Sequence, residues 1–256
     1  MKTVSIVNLK GGVGKTVTAV NMAAILAEDY RKKVLVIDAD SQCNATDFLC
    51  CGADDGGLYA QLTGLSSYYP NDVCPSNIVG VDVLSASDNL MELDLSKISD
   101  QTVNVNALKD LRDAISEDGA YDYIVIDMPP AFNAAATAAL IASDDVIIPI
   151  KLDAFSLRGM ANLMRQVESM RQINPGLRIA GCLITMRGKD DTTDEAERQL
   201  RGMGLPVFKQ SIRRTNKVDG MTFAKEPLLY YSPHSSAAVD YRRFVREYLG
   251  GNDNDR

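Results

Sequence analysis

The stretch Leu9-Lys10-Gly11-Gly12-Val13-Gly14-Lys15-Thr16 decides the fold. It follows the apolar run Val4-Ser5-Ile6-Val7 and precedes a helical pattern. A glycine-rich turn between a strand and a helix gathers backbone N–H groups at the helix N-terminus, where the helix dipole also favours anions. The stretch therefore predicts a phosphate site. Lys15 is expected to contact the β- and γ-phosphate oxygens, and the Thr16 hydroxyl to be a Mg²⁺ ligand.

The loop departs from the general P-loop pattern at one position. That pattern has a glycine five residues before its last glycine, and Leu9 stands there instead. A second lysine, Lys10, lies inside the loop, which is the deviant Walker A form in which the early lysine matters for function. A plain strand-to-helix turn is the alternative, and four specified residues in this context make it the weaker one. The expected nucleotide-binding residues are Lys10, Gly11, Gly12, Val13, Gly14, Lys15, Thr16 and Val17.

The composition of the whole chain narrows the function classes. Its 256 residues are enough for one large α/β domain, and its net charge of −7 argues against binding of the whole surface to nucleic acid. A local basic patch could still bind nucleic acid. The five cysteines are odd in number and contain no CxxC pair, which predicts reduced thiols without a disulfide framework or a zinc site. No apolar run reaches about 18 residues and no signal peptide is visible, so we expect a cytoplasmic protein that does not bind membranes.

Short apolar runs alternate with helical patterns along the chain. This alternation is typical of βαβ units, and it predicts a three-layer α/β fold: a mostly parallel sheet with helices on both faces. Residues 43–77 are predicted to be loops with one short helix near 59–62, and residues 1–256 to form a single domain with a frayed tail from about 250. No segment precedes the first strand, so no separate operator-binding domain is expected. The predicted strands are 4–7, 34–37, 81–84, 123–126, 146–150, 179–185 and 206–208, and the predicted helices are 16–30, 107–117, 133 onward, 157–171, 193–201 and 235–249.

Three carboxylates come at or just after the ends of predicted strands: Asp38, Asp40 and Asp127. Because ligands of open α/β sheets bind outside the carboxyl ends of the strands, all three are expected at the same edge as the glycine-rich loop. Asp127 after four apolar residues has the Walker B form, in which the carboxylate holds Mg²⁺, and Asp38 is a second metal candidate. Of Asp38 and Asp40, one could orient a metal-bound water while the other positions the water that attacks the γ-phosphate. The alternatives are a strand-end cap for Asp127 and an Asx-type turn for residues 38–46.

Three motifs in order make the chain similar to the ParA/Soj family of DNA-segregation ATPases, within the ParA/MinD group of P-loop NTPases with a deviant Walker A motif. The resemblance covers nearly the whole chain, with further similarity at 146–149, 155–159 and 183–186. The chain departs from the family at Ser41, where proline is common, and at Arg213-Arg214-Thr215, where Pro-Arg-Asn is frequent near the adenine. The motifs that carry the resemblance are Lys10-Gly11-Gly12-Val13-Gly14-Lys15-Thr16, Asp38-Ala39-Asp40-Ser41-Gln42-Cys43-Asn44-Ala45-Thr46 and Ile124-Val125-Ile126-Asp127-Met128-Pro129-Pro130.

The resemblance implies a slow, Mg²⁺-dependent ATP hydrolase that forms a sandwich homodimer on binding ATP. Lys10 would reach the phosphates of the opposite subunit, where a cation neutralises the charge that develops between the β- and γ-phosphates. Lys15 and Asp40 would complete the catalytic set, with Asp40 assisting hydrolysis. The expected adenine contacts are Met186, Ile212 and Arg213.

Basic residues cluster at 209–225 and at 242–246 despite the acidic total. In similar proteins such residues bind DNA without sequence preference, through phosphate charge and counterion release. A solvated charged face is the alternative and the commoner outcome for such patterns. The resemblance also implies a ParB-type partner that stimulates hydrolysis, association with the nucleoid, and a role in plasmid or chromosome partitioning. The DNA-binding candidates are Arg213, Arg214 and Lys217, followed by Arg242 and Arg243.

Three other functions share parts of this pattern. A MinD-like positioning ATPase needs a C-terminal amphipathic helix for lipid, whereas this chain ends in the polar stretch 250–256. A metabolic ATP-dependent enzyme of the same fold needs a substrate pocket with its own catalytic pair, and the sequence offers no obvious one. A relative of nitrogenase reductase needs cluster-binding cysteines, which the spacing does not support. His234, the only histidine, is expected to be a turn or cap residue.

Overall fold

The structure is a computed structural model that describes residues 1–49, 57–66 and 72–251. In these ranges one or more helices separate successive strands except β3 and β4, and only helices follow the last strand. The strands are β1 (Lys2–Ile6), β2 (Val34–Asp38), β3 (Val73–Pro75), β4 (Val81–Leu84), β5 (Tyr123–Asp127), β6 (Asp145–Lys151) and β7 (Arg178–Thr185). The helices are α1 (Lys15–Tyr30), α2 (Asn44–Phe48), α3 (Gly57–Thr63), α4 (Ser96–Ser99), α5 (Ala107–Asp118), α6 (Ala134–Ala142), α7 (Ala154–Met170), α8 (Asp191–Gly202), α9 (Lys217–Ala224), α10 (Leu228–Tyr231) and α11 (Ser236–Tyr248), with a 3₁₀ turn at Asp88–Glu92.

The strands join in one sheet in the order β3-β4-β2-β5-β1-β6-β7. Neighbouring strands are parallel except β3, which runs antiparallel to β4 at the edge. The register of β2 and β5 places Asp38 beside Asp127 at the carboxyl ends of both strands. Strand β1 leads into the glycine-rich loop. It pairs with β5 on the side of β5 that faces away from β2. The loop and the two carboxylates therefore meet at one edge of the sheet.

Successive side chains of a strand point to opposite faces of the sheet, so an apolar strand has side chains to bury on both faces. Helices cover both faces of this sheet. On β2, Leu35 and Ile37 pack into a core with residues of α3, α5, α6 and α7. Val34 and Val36 pack into a second core with residues of α1, α2 and α9 to α11. Uninterrupted apolar strands such as β5 are typical of a parallel sheet buried on both faces. The predicted three-layer α/β fold is confirmed.

Residues 43–77 hold more regular structure than the predicted loops with one helix. Helix α3 covers the predicted helix, but α2 precedes it and β3 follows it. Strand β3 has only three residues, none fully buried, so it is too short to show an alternating pattern in the sequence. The predictions for residues 50–56 and 67–71, including the adjacent Cys50 and Cys51, and for the tail beyond 251 lie outside the described residues.

The chain after β7 also differs from its prediction. Residues 206–208 make a single bridge, between Val207 and Cys182, instead of the predicted strand. Helices α9 and α10 were not predicted, because α9 mixes polar, apolar and glycine residues without an apolar face and α10 has only four residues. His234 lies in the turn before α11. Within the described ranges, no helix combines the length and apolar character needed to cross a bilayer.

The cysteines depart in part from the expected reduced thiols. Cys43 and Cys182 are free, but Cys74 on β3 is disulfide-bonded. The expectation of no disulfide was therefore wrong. It rested on an odd count and on the absence of CxxC spacing, whereas a disulfide depends on the distance between Cα atoms in the folded chain.

Helix α11 is fixed against the sheet and against α1 by aromatic side chains. The Phe244 ring is fully buried and meets the edge of Phe208 with centroids 5.0 Å apart and planes at 87°. Such edge-to-face pairs stabilise beyond the buried area alone. The buried Tyr241 hydroxyl lies 3.2 Å from the hydroxyl of Thr18 on α1. These contacts tie the C-terminal helix to the helix that follows the glycine-rich loop.

Replacing Phe244 by alanine should lower the free energy of unfolding by about 3–5 kcal/mol, because a buried ring would leave a cavity. Arg243→Ala on the exposed side of the same helix should change it by less than about 0.5 kcal/mol. Urea unfolding of both variants measures the difference. Equal, small losses in the two variants would contradict the packing described for α11.

Candidate functional site

The glycine-rich loop curls around an open space. Gly12 and Gly14 have φ angles of +69° and +88°, in the left-handed region that favours glycine. Among the described residues, a Cβ added at Gly11 or Gly12 would meet no atom within 4 Å, which leaves room for a ligand against the backbone. The Thr185 hydroxyl donates to the Val13 carbonyl at 2.8 Å and holds the loop against β7. The loop thus forms an open cradle at the N-terminus of α1, as phosphate binding requires.

Lys15 lies inside this cradle. It is 7% exposed, and its Nζ donates to the Lys10 carbonyl at a long 3.4 Å. Burial lowers the pKa of the Lys15 ammonium, and the negative charges of Asp127 and Asp40 act against that shift. A buried ammonium with so weak a hydrogen bond is suited to an anion from outside the protein.

Asp127 lies at the end of β5 and contacts the first turn of α1 through Thr16. Its Oδ2 accepts a hydrogen bond from the Thr16 hydroxyl at 2.6 Å, whereas its buried Oδ1 has no partner in the part of the chain that the structure describes. Burial raises the pKa of Asp127 well above its usual range, and the charge of Asp38 raises it further. A buried carboxylate beside a hydroxyl provides the oxygen ligands that Mg²⁺ prefers, so these residues fit the predicted metal.

Asp38 lies beside Asp127, but its oxygens are already engaged. Its Oδ2 accepts from the backbone N–H and the hydroxyl of Thr46, at 2.8 and 2.9 Å, and its Oδ1 accepts from the Asp40 N–H at 3.1 Å. Burial raises its pKa as well. In the described ranges no three His, Cys, Asp or Glu side chains group as a metal site by themselves. Phosphate oxygens and water would therefore have to complete a Mg²⁺ shell that begins with Thr16 and Asp127.

Asp40 opens a tight turn next to the cradle. It is 7% exposed, and its Oδ1 accepts from the Gln42 N–H at 3.0 Å. This bond and the one from the Asp40 N–H to Asp38 are Asx-type turns, the alternative considered for this segment. The turn does not remove Asp40 from the site, since its charge still acts on Lys15. The fold therefore brings together Lys15 and Asp40, two of the predicted catalytic residues.

Lys10 occupies the rim of the loop instead of its interior. Its Nζ donates to both carboxylate oxygens of Asp153, at 2.9 and 2.7 Å. Its backbone N–H donates to Asn8 Oδ1 at 2.9 Å. The two side chains of the ion pair are 37% and 29% exposed. The two lysines of the loop thus differ: Lys15 lies among the groups that would surround phosphate, and Lys10 is held aside by an acid of its own chain.

A cavity of about 170 Å³ adjoins the loop at Gly14 and Val17. Its surface is mainly apolar, as a site for a flat base should be. Met186 has an uncommon φ of +52° here. The three predicted adenine contacts, Met186, Ile212 and Arg213, all line this cavity. Residues that the sequence did not indicate also line it, among them Lys151, Val218, Asp219 and Tyr241; they come from β6, α9 and α11, so no local motif could signal them.

The structure divides the predicted DNA-binding residues into two groups. Two of them are already paired with carboxylates: Arg213 with Asp240 at 2.8 Å and Arg242 with Asp29 at 2.9 Å. The others are exposed and form no ion pair within the described residues: Arg214, Lys217 and Arg243. A guanidinium that is paired with a carboxylate offers less charge to a phosphate backbone, above all where the acid is buried, as Asp240 is. The two groups therefore differ in the charge that they present to solvent.

Comparison with known proteins agrees with this site. Residues 1–179 match a family model described as an AAA domain. The chain also superposes on cobyrinic acid a,c-diamide synthase from Mycobacterium smegmatis, a structure with bound ATP analog and magnesium, with a TM-score of 0.80 and 25% identity over 100% of this chain and 97% of the other. Together with the lysine-containing loop at the sheet edge, these findings define the chain as a P-loop ATPase.

Two relatives that match over nearly their whole length identify the family of P-loop ATPases to which the chain belongs. The chain is 31% identical to the chromosome partitioning protein ParA of Caulobacter vibrioides, covering 97% of this chain and 94% of the relative. It is 32% identical to the chromosome-partitioning ATPase Soj of Thermus thermophilus, covering 97% and 96%. The chain belongs to the ParA/Soj family of partitioning ATPases.

Replacing Asp127 by asparagine should raise the melting temperature of the ligand-free protein, because it removes a buried charge that faces Asp38. A gain of about 1 kcal/mol corresponds to roughly 2–4 °C for a chain of this length. The variant should also lose most of the extra stabilisation that Mg²⁺ adds to ATP, since an amide keeps one oxygen but lacks the negative charge and the second oxygen of the carboxylate. Thermal melts without ligand, with ATP, and with ATP and Mg²⁺ measure both effects.

Asp145 supplies the matched control, because it is equally buried but lies at the opposite end of the sheet. Burial would raise its pKa, yet the bonds from Arg178, Tyr248 and Lys2 lower it. Asp145→Asn should therefore reduce the melting temperature and leave the Mg²⁺ effect unchanged. If Asp127→Asn also melted lower while keeping the Mg²⁺ effect, the metal assignment would be wrong.

Proposed function

We propose that this ATPase binds Mg²⁺·ATP, pairs with a second copy of itself, binds DNA without sequence preference and thereby drives DNA partitioning. The ATPase would associate with the nucleoid, and a ParB-type centromere-binding partner would stimulate hydrolysis, which releases the dimer. Residues 1–256 would act as one domain. The observation that carries the proposal is the two-lysine loop, in which Lys15 is buried in the cradle and Lys10 is held at its rim by Asp153.

The residues at the sheet edge have separable tasks in binding and hydrolysis. The backbone N–H groups of residues 11–16 and the Lys15 ammonium would hold the phosphates. Thr16 and Asp127 would hold Mg²⁺, which when bound neutralises charge on the β- and γ-phosphates. Asp40, buried close to Lys15, would orient the attacking water. The apolar cavity beside Gly14 would receive the adenine.

Lys10 is the residue proposed to join two subunits. Its pair with Asp153 is partly exposed, so breaking it costs no more than about 1 kcal/mol. The phosphates of an ATP bound to the partner subunit carry more charge than one carboxylate. They could therefore replace Asp153 as the contact of Lys10. Such a contact would add positive charge at the reacting phosphates only after dimerisation, which would couple pairing to hydrolysis.

Asp153→Asn should make the ATP-bound dimer form at lower protein concentration. The substitution keeps the shape of the side chain but removes the charge that holds Lys10. An exposed pair worth about 0.2–1 kcal/mol predicts that each Lys10 released strengthens the dimer by a factor of roughly 1.4 to 5. Sedimentation analysis across a concentration series with ATP measures the change. A dimer constant equal to that of the unchanged protein would contradict the proposed role of this ion pair.

DNA binding is proposed for two of the predicted cations that form no ion pair among the described residues, Lys217 and Arg243. Lys217 begins α9 and Arg243 lies on α11, and both helices cover the same face of the sheet. Their charges would contact phosphate, so binding should weaken steeply with salt and show little sequence preference. The acidic total of the chain restricts this contact to a local patch.

The double variant Lys217→Glu/Arg243→Glu should lose DNA retention in the presence of ATP and keep the basal rate of hydrolysis. If each residue contacts one phosphate, the slope of log K against log salt should flatten by about 1.8 per protomer in a milder double alanine variant. Filter binding over a salt series measures both variants.

Its control carries the same change of charge on the other face of the sheet, at two exposed residues of α5 and α7: Lys109→Glu/Arg165→Glu. This control should retain DNA almost as the unchanged protein does. Equal losses in the two charge-reversal variants would show that only net charge matters and would remove the proposed surface.

The fold alone does not distinguish a partitioning ATPase from a metabolic enzyme, because cobyrinic acid a,c-diamide synthase has the same fold. A MinD-like membrane function is the second alternative. ATP-dependent sedimentation with liposomes would favour that function over DNA partitioning, and ATP-dependent retention of DNA without sedimentation would favour the proposal.

A further inference from the structure

Asp240 on α11 makes more contacts with Arg213 than a surface ion pair needs. Its Oδ2 accepts from the Arg213 backbone N–H at 3.0 Å and from Nε at 2.8 Å, and its Oδ1 accepts from Nη2 at 2.8 Å. The Asp240 side chain is 1% exposed, whereas that of Arg213 is 44% exposed. One buried carboxylate thus fixes both the backbone and the side chain of a single residue.

The residue that Asp240 fixes belongs to the wall of the base cavity. Arg213 lines that cavity together with Ile212 and Met186. The same wall is held from the sheet side, since the Ile212 N–H donates to Ile184 at 2.8 Å and the Arg187 N–H donates to Ile212 at 2.9 Å. Apart from a long 3.4 Å bond from Arg213 Nη2 to the Ser236 carbonyl, Asp240 provides the hydrogen bonds of Arg213 to α11 among the described residues.

The next residue of α11 reaches the cavity directly. Tyr241 lines it and shares a hydrogen bond with Thr18, in the first turns of the helix that carries Lys15. Residues 240 and 241 therefore hold two sides of one cavity. Arg243, two residues further, faces solvent on another side of the helix.

We propose that Asp240 is a positioning residue for the nucleotide base, which it serves by clamping Arg213 into the cavity wall. The clamp also withdraws Arg213 from the DNA surface, although its charge suggested that role in the sequence. The inference rests on the proposed function only in taking a nucleotide base as the ligand of the cavity.

The clamp is tested by comparing ATP with inorganic tripolyphosphate, which offers the phosphates without a base. Asp240→Asn should bind ATP about tenfold more weakly, the loss expected when charge-assisted hydrogen bonds are removed. Its affinity for tripolyphosphate should stay within about twofold of the unchanged protein, since the phosphate cradle is intact. Competition with a fluorescent ATP analogue measures both, and in hydrolysis the KM for ATP should rise at unchanged kcat.

A second variant of the clamp and a control variant guard against a loss of ATP affinity that comes only from poor folding. Arg213→Lys keeps the charge but lacks the forked geometry, so it should repeat the loss for ATP even if Asp240→Asn folds poorly. Asp29→Asn breaks the neighbouring Arg242 pair, which ties α11 to α1 away from the cavity, and should change neither affinity. At saturating ATP, Arg213→Lys should retain DNA normally.

Unchanged ATP affinity in both clamp variants would overturn the proposal. Parallel losses for ATP and tripolyphosphate would also overturn it, because they would show general damage to the fold. These binding measurements need no DNA. A wild-type chain that never retains DNA would therefore refute the partitioning proposal and leave this inference standing on its own data.

Discussion

Two carboxylates buried side by side at the ends of β2 and β5 constrain the rest of this structure. Asp38 and Asp127 are both fully buried, and burial raises the pKa of each. Parallel pairing of the two strands forces this closeness, because Cα partners in register end at the same level. The nearby Lys15 compensates only in part, since it is itself buried. The site is therefore arranged for ligands that bring a cation and phosphate together, and Mg²⁺·ATP does both.

In the proposed function, the second lysine of the loop, Lys10, links ATP binding to the pairing of two subunits. Lys15 already serves the cradle, so Lys10 is not needed there, and its ion pair with Asp153 keeps it near the loop surface. Different residues of the C-terminal helix α11 also have different roles. Tyr241 lines the base cavity and Asp240 holds Arg213 of its wall, whereas Arg243 faces solvent. One helix thus borders the nucleotide and carries part of the proposed DNA surface, which gives the two functions a short physical connection.

Six of the seven described strands, the loop and the places of the three acids at the strand ends were predictable, because each depends on a local pattern. Uninterrupted apolar runs ending in aspartate mark buried parallel strands, and the glycines with lysine mark the cradle. What the sequence missed depends on contacts between distant segments. Strand β3 is too short to show a period, the disulfide of Cys74 needs proximity in space, and α9 has no apolar face. Charge alone also failed to separate Arg213 and Arg242, which meet Asp240 and Asp29, from Arg214, Lys217 and Arg243.

The central claim is that ATP binding pairs two subunits through Lys10 and that only the pair binds DNA. The most direct measurement is DNA retention by the unchanged chain and by Lys10→Ala, with ATP, with ADP and without nucleotide, across a salt series. The account predicts retention with ATP alone, a steep loss with salt, and no retention by Lys10→Ala although that variant still binds ATP. Equal retention in all three nucleotide states, or normal retention by Lys10→Ala, would contradict it.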